Sequence, residues 1–251
     1  MVAKKLKIAV VSPEVVPFSK TGGLADVAGA LGKYLTKHKV DVRIITPFYS
    51  ITNTAVATFH PVGFLQGMHV WFGNHMYEYS VHSAKIPGTS ADVYFINCPA
   101  LFDRYSIYTN DWDEYLRFAL LNKAAIEICQ RMGWAPDIFH CNDWQTGLIP
   151  LYLKTIYSWD SLFKNTKTLF SIHNIGYQGN FDAHVIDPLG LSDYKHQLDE
   201  YDLKYGVFNY MKTGVIHSHM LSTVSETYAH EIQTPEYGAG LVAAISLRPW
   251  K

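Results

Sequence analysis

Apolar runs rich in β-branched residues alternate along the chain with segments of helical periodicity. The runs Lys7–Ser12 and Val40–Pro47 predict two strands, and between them apolar residues recur at helical spacing from Leu24 to Leu35. Parallel strands need a long crossover connection of this kind, usually a helix. The order therefore predicts a βαβ unit at the start of the chain.

A different pattern occupies residues 57–96, where β-branched and aromatic residues lie between glycines and no helical period is present. We predict strands and hairpins here, a β-hairpin-rich insertion that ends as Asp92–Cys98 returns to the main sheet.

The second half of the chain returns to the alternation. Asp111 and Glu114 have the spacing of a capping box, and Gly133 is a matching stop, so we predict a helix between them. We predict further strands over 136–141, 167–173 and 219–224, and further helices over 146–157, 203–215 and 225–232, the last capped by Ser225. The whole pattern predicts one α/β domain with a mostly parallel sheet and helices on both faces.

Composition and charge narrow the classes of function. The 251 residues are 48% hydrophobic, and 21 basic against 22 acidic residues give a net charge of -1, so no attraction to nucleic acid or anionic lipid is expected. No apolar run is long enough to span a membrane. Three widely spaced cysteines, Cys98, Cys129 and Cys141, predict buried, reduced thiols and a cytoplasmic protein.

A lysine and two glycines follow the first predicted strand, at the mouth of the first predicted helix. Gly22 and Gly23 allow close approach to the backbone, and free N–H groups at a helix start attract anions, with the charge of Lys20 beside them. This combination suits a phosphate or diphosphate. A flexible turn with a solvated lysine is the equal alternative, because the stretch is neither G-x-G-x-x-G nor a Walker A loop.

Polar side chains also follow two later strands, where ligands bind in a parallel sheet. Asp143 ends one of them, beside Trp144, either as a site carboxylate or as the N-cap of the helix predicted from Thr146. After the next strand come His173, Asn174, Tyr177 and Gln178, polar groups and a flat ring that suit a sugar. No metal site is predicted, because neither H-E-x-x-H nor paired-cysteine spacing occurs.

Five of these motifs, KTGGLADV, FHCNDWQTGL, SIHNIGYQG, TVSETYAHEI and TPEYGAGL, occur together and in this order. With them the chain resembles the bacterial glycogen synthases and plant starch synthases, from Lys7 to about Leu241. The resemblance implies retaining transfer of glucose from ADP-glucose to the non-reducing end of an α-1,4-glucan, without a cofactor.

The resemblance also implies roles for individual residues. Lys20, Gly22 and Gly23 would face the donor diphosphate, and Asp26 would lie near the acceptor or donor sugar. Asp143 would be a catalytic carboxylate close to the transferred glucose. His173 and Asn174 would hold its hydroxyls and the reacting centre, and Tyr108 would line the site.

Members of this family have two Rossmann-like domains in the GT-B arrangement, with the active site in the cleft between them. The resemblance implies that residues 1–251 are the N-terminal, acceptor-side domain and that the C-terminal nucleotide-binding domain is absent. We therefore expect the isolated chain to be inactive.

Two other functions remain open on the residues alone. A non-catalytic glucan-binding module would use Trp144, Tyr108 and Tyr177 equally well. A dinucleotide oxidoreductase would share the alternating pattern, but the chain lacks G-x-G-x-x-G, and Thr46-Pro47 ends the second strand where an acidic residue is expected.

Overall fold

The computed structural model describes residues 5–250, which contain eleven strands and eight α-helices. The strands are β1 (Lys7–Val11), β2 (Asp41–Pro47), β3 (His60–Pro61), β4 (Met68–Phe72), β5 (His75–Lys85), β6 (Asp92–Asn97), β7 (Ile138–Asn142), β8 (Lys167–Ile172), β9 (Asn180–Asp182), β10 (Val207–Asn209) and β11 (Met220–Thr223). The helices are α1 (Gly23–Lys37), α2 (Pro99–Phe102), α3 (Glu114–Arg131), α4 (Ile149–Lys154), α5 (Glu200–Lys204), α6 (Tyr210–His217), α7 (Glu226–Glu231) and α8 (Val242–Ser246).

Nine of the strands form one sheet in the order β11-β8-β7-β1-β2-β6-β5-β3, with β4 paired to β5 outside this path. From β11 to β6 every neighbouring pair is parallel, whereas β5 runs antiparallel to β3, β4 and β6. The mostly parallel sheet and the hairpin-rich insertion are therefore confirmed. Strands β9 and β10 form a separate antiparallel pair.

Alternate residues of β1 enter two different hydrophobic cores. Ile8 and Val10 pack in a core that includes Ala28 of α1, whereas Ala9 and Val11 belong to a larger one that contains most of α3. Because successive side chains of a strand point to opposite faces, helices cover both faces of the sheet. Such double coverage explains why the parallel strands are almost continuously apolar.

Three predicted helices differ from the structure. Helix α3 begins at Glu114 with Asp113 as its N-cap residue, so the predicted capping box of Asp111 and Glu114 is wrong. The helix predicted over 146–157 is the shorter α4, preceded by a 3₁₀ turn at Trp144–Thr146. The stretch 203–215 is divided, because β10 lies between α5 and α6 and pairs with β9.

Three central strands end at one edge of the sheet. In the register of β1, β7 and β8, Val11 lies beside Cys141 and Cys141 beside Phe170, so the loops after these strands emerge together. Among residues 5–250, no helix combines the length and apolar character needed to cross a bilayer.

Candidate functional site

A cavity of 1360 Å³ opens at this carboxyl edge of the sheet. It brings together eight of the ten residues that the sequence singled out for substrate: Gly22, Gly23, Tyr108, Asp143, His173, Asn174, Tyr177 and Gln178. The loops that follow β1, β7 and β8 supply all of them except Gly23, which begins α1, and Tyr108, which comes from the segment before α3. This is the position at which open parallel sheets bind their ligands.

Lys20 and Asp26 are the two predicted site residues that do not line the cavity. Their side chains form an ion pair, with 2.7 Å between Nζ and Oδ2, and both are about half exposed (51% and 54%). The ammonium group therefore lies at the surface beside the glycine turn. A ligand that extends out of the cavity past Gly22 would meet it there.

A buried glutamate, Glu14, organises the glycine turn and was missed at the sequence level. Its carboxylate accepts hydrogen bonds from the backbone N–H and hydroxyl of Thr21 and, at 3.3 Å, from the N–H of Gly22. The expectation that the Gly22 N–H is free for a phosphate is therefore wrong, because a side-chain anion already occupies it. An acidic residue just ahead of a helix start was the available signal, since helix N-termini attract carboxylates as well as phosphates.

A buried arginine holds the segment that carries Tyr108. The guanidinium of Arg117 donates to the carbonyl of Ile107 at 2.9 Å and to the hydroxyl of Thr109 at 3.1 Å, on either side of Tyr108. Arg117 is fully buried and also pairs with Glu114 at 2.7 Å. Buried charges are retained in proteins when they are paired and hydrogen-bonded in this way. The position of Tyr108 in the cavity wall is therefore set from within the core.

Asp143 lies at the floor of the cavity in a left-handed backbone conformation, with φ at 57°. Asp143 stands at the N-cap position of the 3₁₀ turn Trp144–Thr146, but its side chain does not cap it. Instead, Oδ1 accepts from the backbone N–H groups of His173 (2.7 Å) and Asn174 (3.3 Å). Burial raises the pKa of Asp143 to about 7, and the Glu14 carboxylate adds to this rise against those two hydrogen bonds. The carboxyl group is thus able to gain or lose a proton near neutral pH.

Two neighbouring histidines, His140 on β7 and His173 directly after β8, are neutral at physiological pH. Burial lowers the pKa of His173 to about 4. The pKa of His140 is also lowered to about 4, mainly by burial and further by the nearby imidazole of His173. The imidazole of His173 contacts the Asn142 amide, whereas that of His140 contacts the hydroxyl of Ser171. His173 lines the cavity as a polar but uncharged group.

The loop after β8 is held in place by Gln178. Its amide nitrogen donates to the carbonyls of Ile175 (3.2 Å) and Ala239 (2.8 Å), and its amide oxygen accepts from Asn209 at 2.6 Å. The side chain of Gln178 is therefore committed to the protein, although it lines the cavity. Tyr177 beside it is 70% exposed and is the aromatic ring of this loop that a ligand can reach.

The charge of the cavity is one-sided. Among the described residues that line it, no lysine or arginine occurs, whereas five are acidic: Glu14, Asp111, Glu114, Asp143 and Asp182. Arg104 and Arg117 pair with Asp111 and Glu114 from behind the wall, whereas Glu14 and Asp143 accept hydrogen bonds from backbone N–H groups and a tyrosine hydroxyl, which are neutral. Residues 5–250 contain no group of three or more His, Cys, Asp or Glu side chains placed to hold a metal ion. The cavity thus offers a wall suited to an uncharged, hydroxyl-rich ligand.

Comparison with known proteins agrees with this geometry. The family model of the starch synthase catalytic domain matches residues 7–246. The chain belongs to this family. The chain is 41% identical to a glycogen synthase of Desulforudis audaxviator, in an alignment that covers 99% of this chain and 50% of that relative. It is also 39% identical to glycogen synthases of Thermodesulfovibrio yellowstonii and Thermotoga maritima, over 97% of the chain and 52% and 50% of those relatives.

A solved structure extends the likeness to the fold. The catalytic domain of starch synthase IV from Arabidopsis thaliana, bound to ADP and acarbose, aligns with a TM-score of 0.88 and 29% identity over 97% of this chain and 50% of that one. The chain spans about half the length of the curated relatives and of the solved structure it matches. The oxidoreductase alternative is set aside, because the family is one of glucan synthases.

Proposed function

We propose that this chain is the N-terminal, acceptor-side half of a glycogen or starch synthase. The complete enzyme transfers glucose from ADP-glucose to the non-reducing end of an α-1,4-glucan with retention of configuration. It acts in the cytoplasm and needs no cofactor. This half binds the glucan and forms one wall of the reaction site. Turnover requires a second half, which corresponds to the part of the relatives that this chain does not match.

The observation that carries this proposal is the charge of the cavity. The described residues that line the cavity include five acidic side chains and no lysine or arginine, and only Asp111 and Glu114 are paired with arginines behind the wall. A nucleoside diphosphate would bring further negative charge to this wall, which is unfavourable at short range. A glucan is neutral, and its hydroxyls both donate to carboxylates and accept from amides and N–H groups. The cavity therefore fits the sugar, and the diphosphate lies outside it.

Lys20 is the cation that would meet that diphosphate. Its ammonium lies outside the cavity wall, next to Thr21 and Gly22, and its partner Asp26 is half exposed. Exposed ion pairs contribute little, typically about 0.2–1 kcal/mol, so a diphosphate can replace Asp26 at small cost. The leaving group would be stabilised there, with further donors from the other half of the enzyme.

The reacting sugar is assigned to the cavity floor. Asp143 lies there with the backbone of His173 and Asn174 bound to its carboxylate, so these three groups form one rigid wall. A carboxylate beside the transferred glucose would stabilise the positive charge that develops on the sugar as the diphosphate leaves. Tyr177, at the exposed side, offers a ring on which a glucose unit of the acceptor stacks.

The first experiment measures binding by the 251-residue chain with calorimetry, using maltoheptaose and ADP as ligands. We expect maltoheptaose to bind and ADP to bind much more weakly. Tyr177→Ala should reduce maltoheptaose affinity, whereas Tyr205→Ala, an equally exposed ring that does not line the cavity, should not. Tight ADP binding without maltoheptaose binding would contradict the acceptor-side assignment.

The second experiment separates an enzyme from a non-catalytic glucan-binding module. Glucose transfer from ADP-glucose to glycogen is measured with the chain alone and with the full-length protein. We expect turnover only from the full-length protein and its loss in Asp143→Asn. A full-length protein that binds glucan but transfers no glucose would instead identify a binding module.

A further inference from the structure

Asn142, the last residue of β7, is fully buried between β1 and β8. Its amide nitrogen donates to the carbonyl of Val11 at 3.0 Å and to the carbonyl of His140 at 3.3 Å. Its amide oxygen lies 3.0 Å from Nε2 of His173. The three contacts occupy both ends of the amide, and one of them reaches a residue of the cavity wall.

The two carbonyl contacts determine which way the amide faces. A carbonyl oxygen only accepts hydrogen bonds, so the group that meets Val11 and His140 must be the NH₂ end of Asn142. The oxygen end then faces His173, and it also only accepts. The hydrogen in the contact between Asn142 and His173 must therefore lie on Nε2 of the imidazole. The reversed tautomer would set two lone pairs against each other 3.0 Å apart.

We propose that Asn142 is a positioning residue that fixes His173 as its Nε2–H tautomer. The nitrogen left for a ligand in the cavity is then Nδ1, which accepts a hydrogen bond from a hydroxyl. This second step rests on the proposed function, because it takes the ligand to be a sugar. Burial lowers the pKa of His173 to about 4, so at neutral pH the ring carries a single proton and the choice of nitrogen matters.

Two adjacent residues, Asn142 and Asp143, then hold different parts of His173. Asn142 determines the proton position on the ring, and Asp143 binds the backbone N–H of the same residue at 2.7 Å. A histidine held in this way presents an acceptor and not a donor to the cavity. It would select a ligand whose hydroxyl hydrogen points towards it.

The test is nitrogen-15 NMR of the histidine rings in the unliganded 251-residue chain at pH 7.5, with His173→Gln to identify the signals. We expect His173 to show a protonated Nε2 and an unprotonated Nδ1. Two variants of Asn142 form a matched pair, because both remove the amide donor to Val11 and His140. Asn142→Asp keeps an oxygen facing Nε2, and Asn142→Leu does not.

In Asn142→Asp the Nε2 proton should remain, whereas in Asn142→Leu the two nitrogen signals should move towards a mixture of tautomers. A wild-type ring protonated on Nδ1, or an unchanged Nε2–H signal in Asn142→Leu, would overturn the proposal. Melting temperatures report whether each variant folds. If Asn142→Leu does not, the wild-type and Asn142→Asp spectra decide, since an Nδ1–H signal in either contradicts the assignment.

A binding measurement with maltoheptaose then tests the second step. We expect Asn142→Leu to weaken affinity by about three- to tenfold, the range for one hydrogen bond, with Asn142→Asp closer to wild type. Equal affinities in the two variants, with the tautomer shifted in Asn142→Leu alone, would overturn the role of Nδ1. If the wild-type chain binds no glucan but keeps the Nε2–H tautomer, the proposed function fails while the role of Asn142 stands.

Discussion

The phenol of Tyr108 donates a hydrogen bond of 3.3 Å to Glu14 and so joins two loops that lie 94 residues apart in the sequence. The same carboxylate binds the backbone of Thr21 and Gly22, and Arg117 holds both neighbours of Tyr108. The glycine turn is therefore connected to a buried guanidinium through the hydrogen bonds of Glu14 and the backbone on either side of Tyr108. Its conformation is set by the protein before any ligand arrives.

We expect Glu14→Gln to lower the free energy of unfolding by about 1–3 kcal/mol. The neutral amide has one acceptor oxygen, so when that oxygen takes the place of Oε2, which accepts from the N–H groups of Thr21 and Gly22, the NH₂ group replaces Oε1 as the partner of the Tyr108 hydroxyl. Tyr108→Phe removes one donor and should cost about 1 kcal/mol. Urea unfolding measures both, with the exposed Glu78→Gln on β5 as control. Equal stability of Glu14→Gln and Glu78→Gln would show that Glu14 does not hold the turn.

Arg117→Met is expected to destabilise the protein by about 3–5 kcal/mol, because it leaves the buried carboxylate of Glu114 without its partner. Arg131→Met, the same change at an exposed position of the same helix, should stay within about 0.5 kcal/mol. Thermal unfolding with calorimetry compares the two. A small effect at Arg117 would show that the buried Glu114 side chain does not depend on this ion pair.

Gly179 combines two constraints, a φ of +61° and a neighbouring ring. A Cβ at this position would lie 2.2 Å from Cε3 of Trp144, whereas at Gly206, with a φ of +72°, nothing lies within 4 Å. We expect Gly206→Ala to cost about 1–2 kcal/mol from the backbone alone, and Gly179→Ala to cost clearly more. Near-ultraviolet circular dichroism should change only in Gly179→Ala, since Trp144 has to move. Similar losses and unchanged spectra in both variants would argue against the ring contact.

Asp143 should make stability depend on pH in an unusual direction. Its pKa is about 7 in the folded chain against 3.8 ordinarily, so its contribution is fully present below pH 4 and is lost as the pH rises through 7. Three buried histidines have the opposite effect on stability, because their pKa values are lowered from 6.5 to about 4. Their contribution to stability is present above pH 6.5 and is lost as the pH falls through 4; they are His140, His173 and His217.

Comparing wild type with Asp143→Asn isolates the pH dependence that is due to the Asp143 carboxyl group, because the histidines are the same in both. The Asn side chain still offers an oxygen to the backbone N–H groups of His173 and Asn174. We expect the variant to gain stability relative to wild type between pH 4 and pH 8, by about 4 kcal/mol at most. Urea unfolding across that range measures the difference. A difference that does not change with pH would mean that the folded-state pKa of Asp143 is ordinary.

The mostly parallel sheet and the position of the candidate site followed from the sequence, because each parallel strand is an apolar run and the polar residues directly after β1, β7 and β8 meet at the carboxyl edge of such a sheet. The start of α3 was not predicted correctly. Asp111 and Glu114 have the residue types and spacing of a capping box, but their carboxylates pair with Arg104 and Arg117 instead. Tertiary partners of this kind override local spacing.

Two parts of the site depend on contacts that sequence spacing does not encode. Glu14 satisfies N–H groups of the turn that seemed free for a phosphate, and its bond to Tyr108 exists only after the fold brings the loops together. The division of 203–215 has the same origin, because Val207–Asn209 becomes a strand by pairing with β9. Pairing with β9, which lies earlier in the chain, therefore outweighed the local preference of Val207–Asn209 for a helix.

On the proposed function, the position of Lys20 outside the cavity separates the two proposed substrates, the nucleotide sugar and the glucan, by their response to ionic strength. Charges at the surface are screened within about 8–10 Å at physiological salt, whereas contacts of a neutral sugar with buried groups are not. In the full-length enzyme, added salt should therefore raise the KM for the nucleotide sugar and leave that for the glucan unchanged, and Lys20→Gln should flatten the dependence. If the proposed function is right, a rise in ionic strength would then slow transfer through the donor step while binding of the glucan is unchanged.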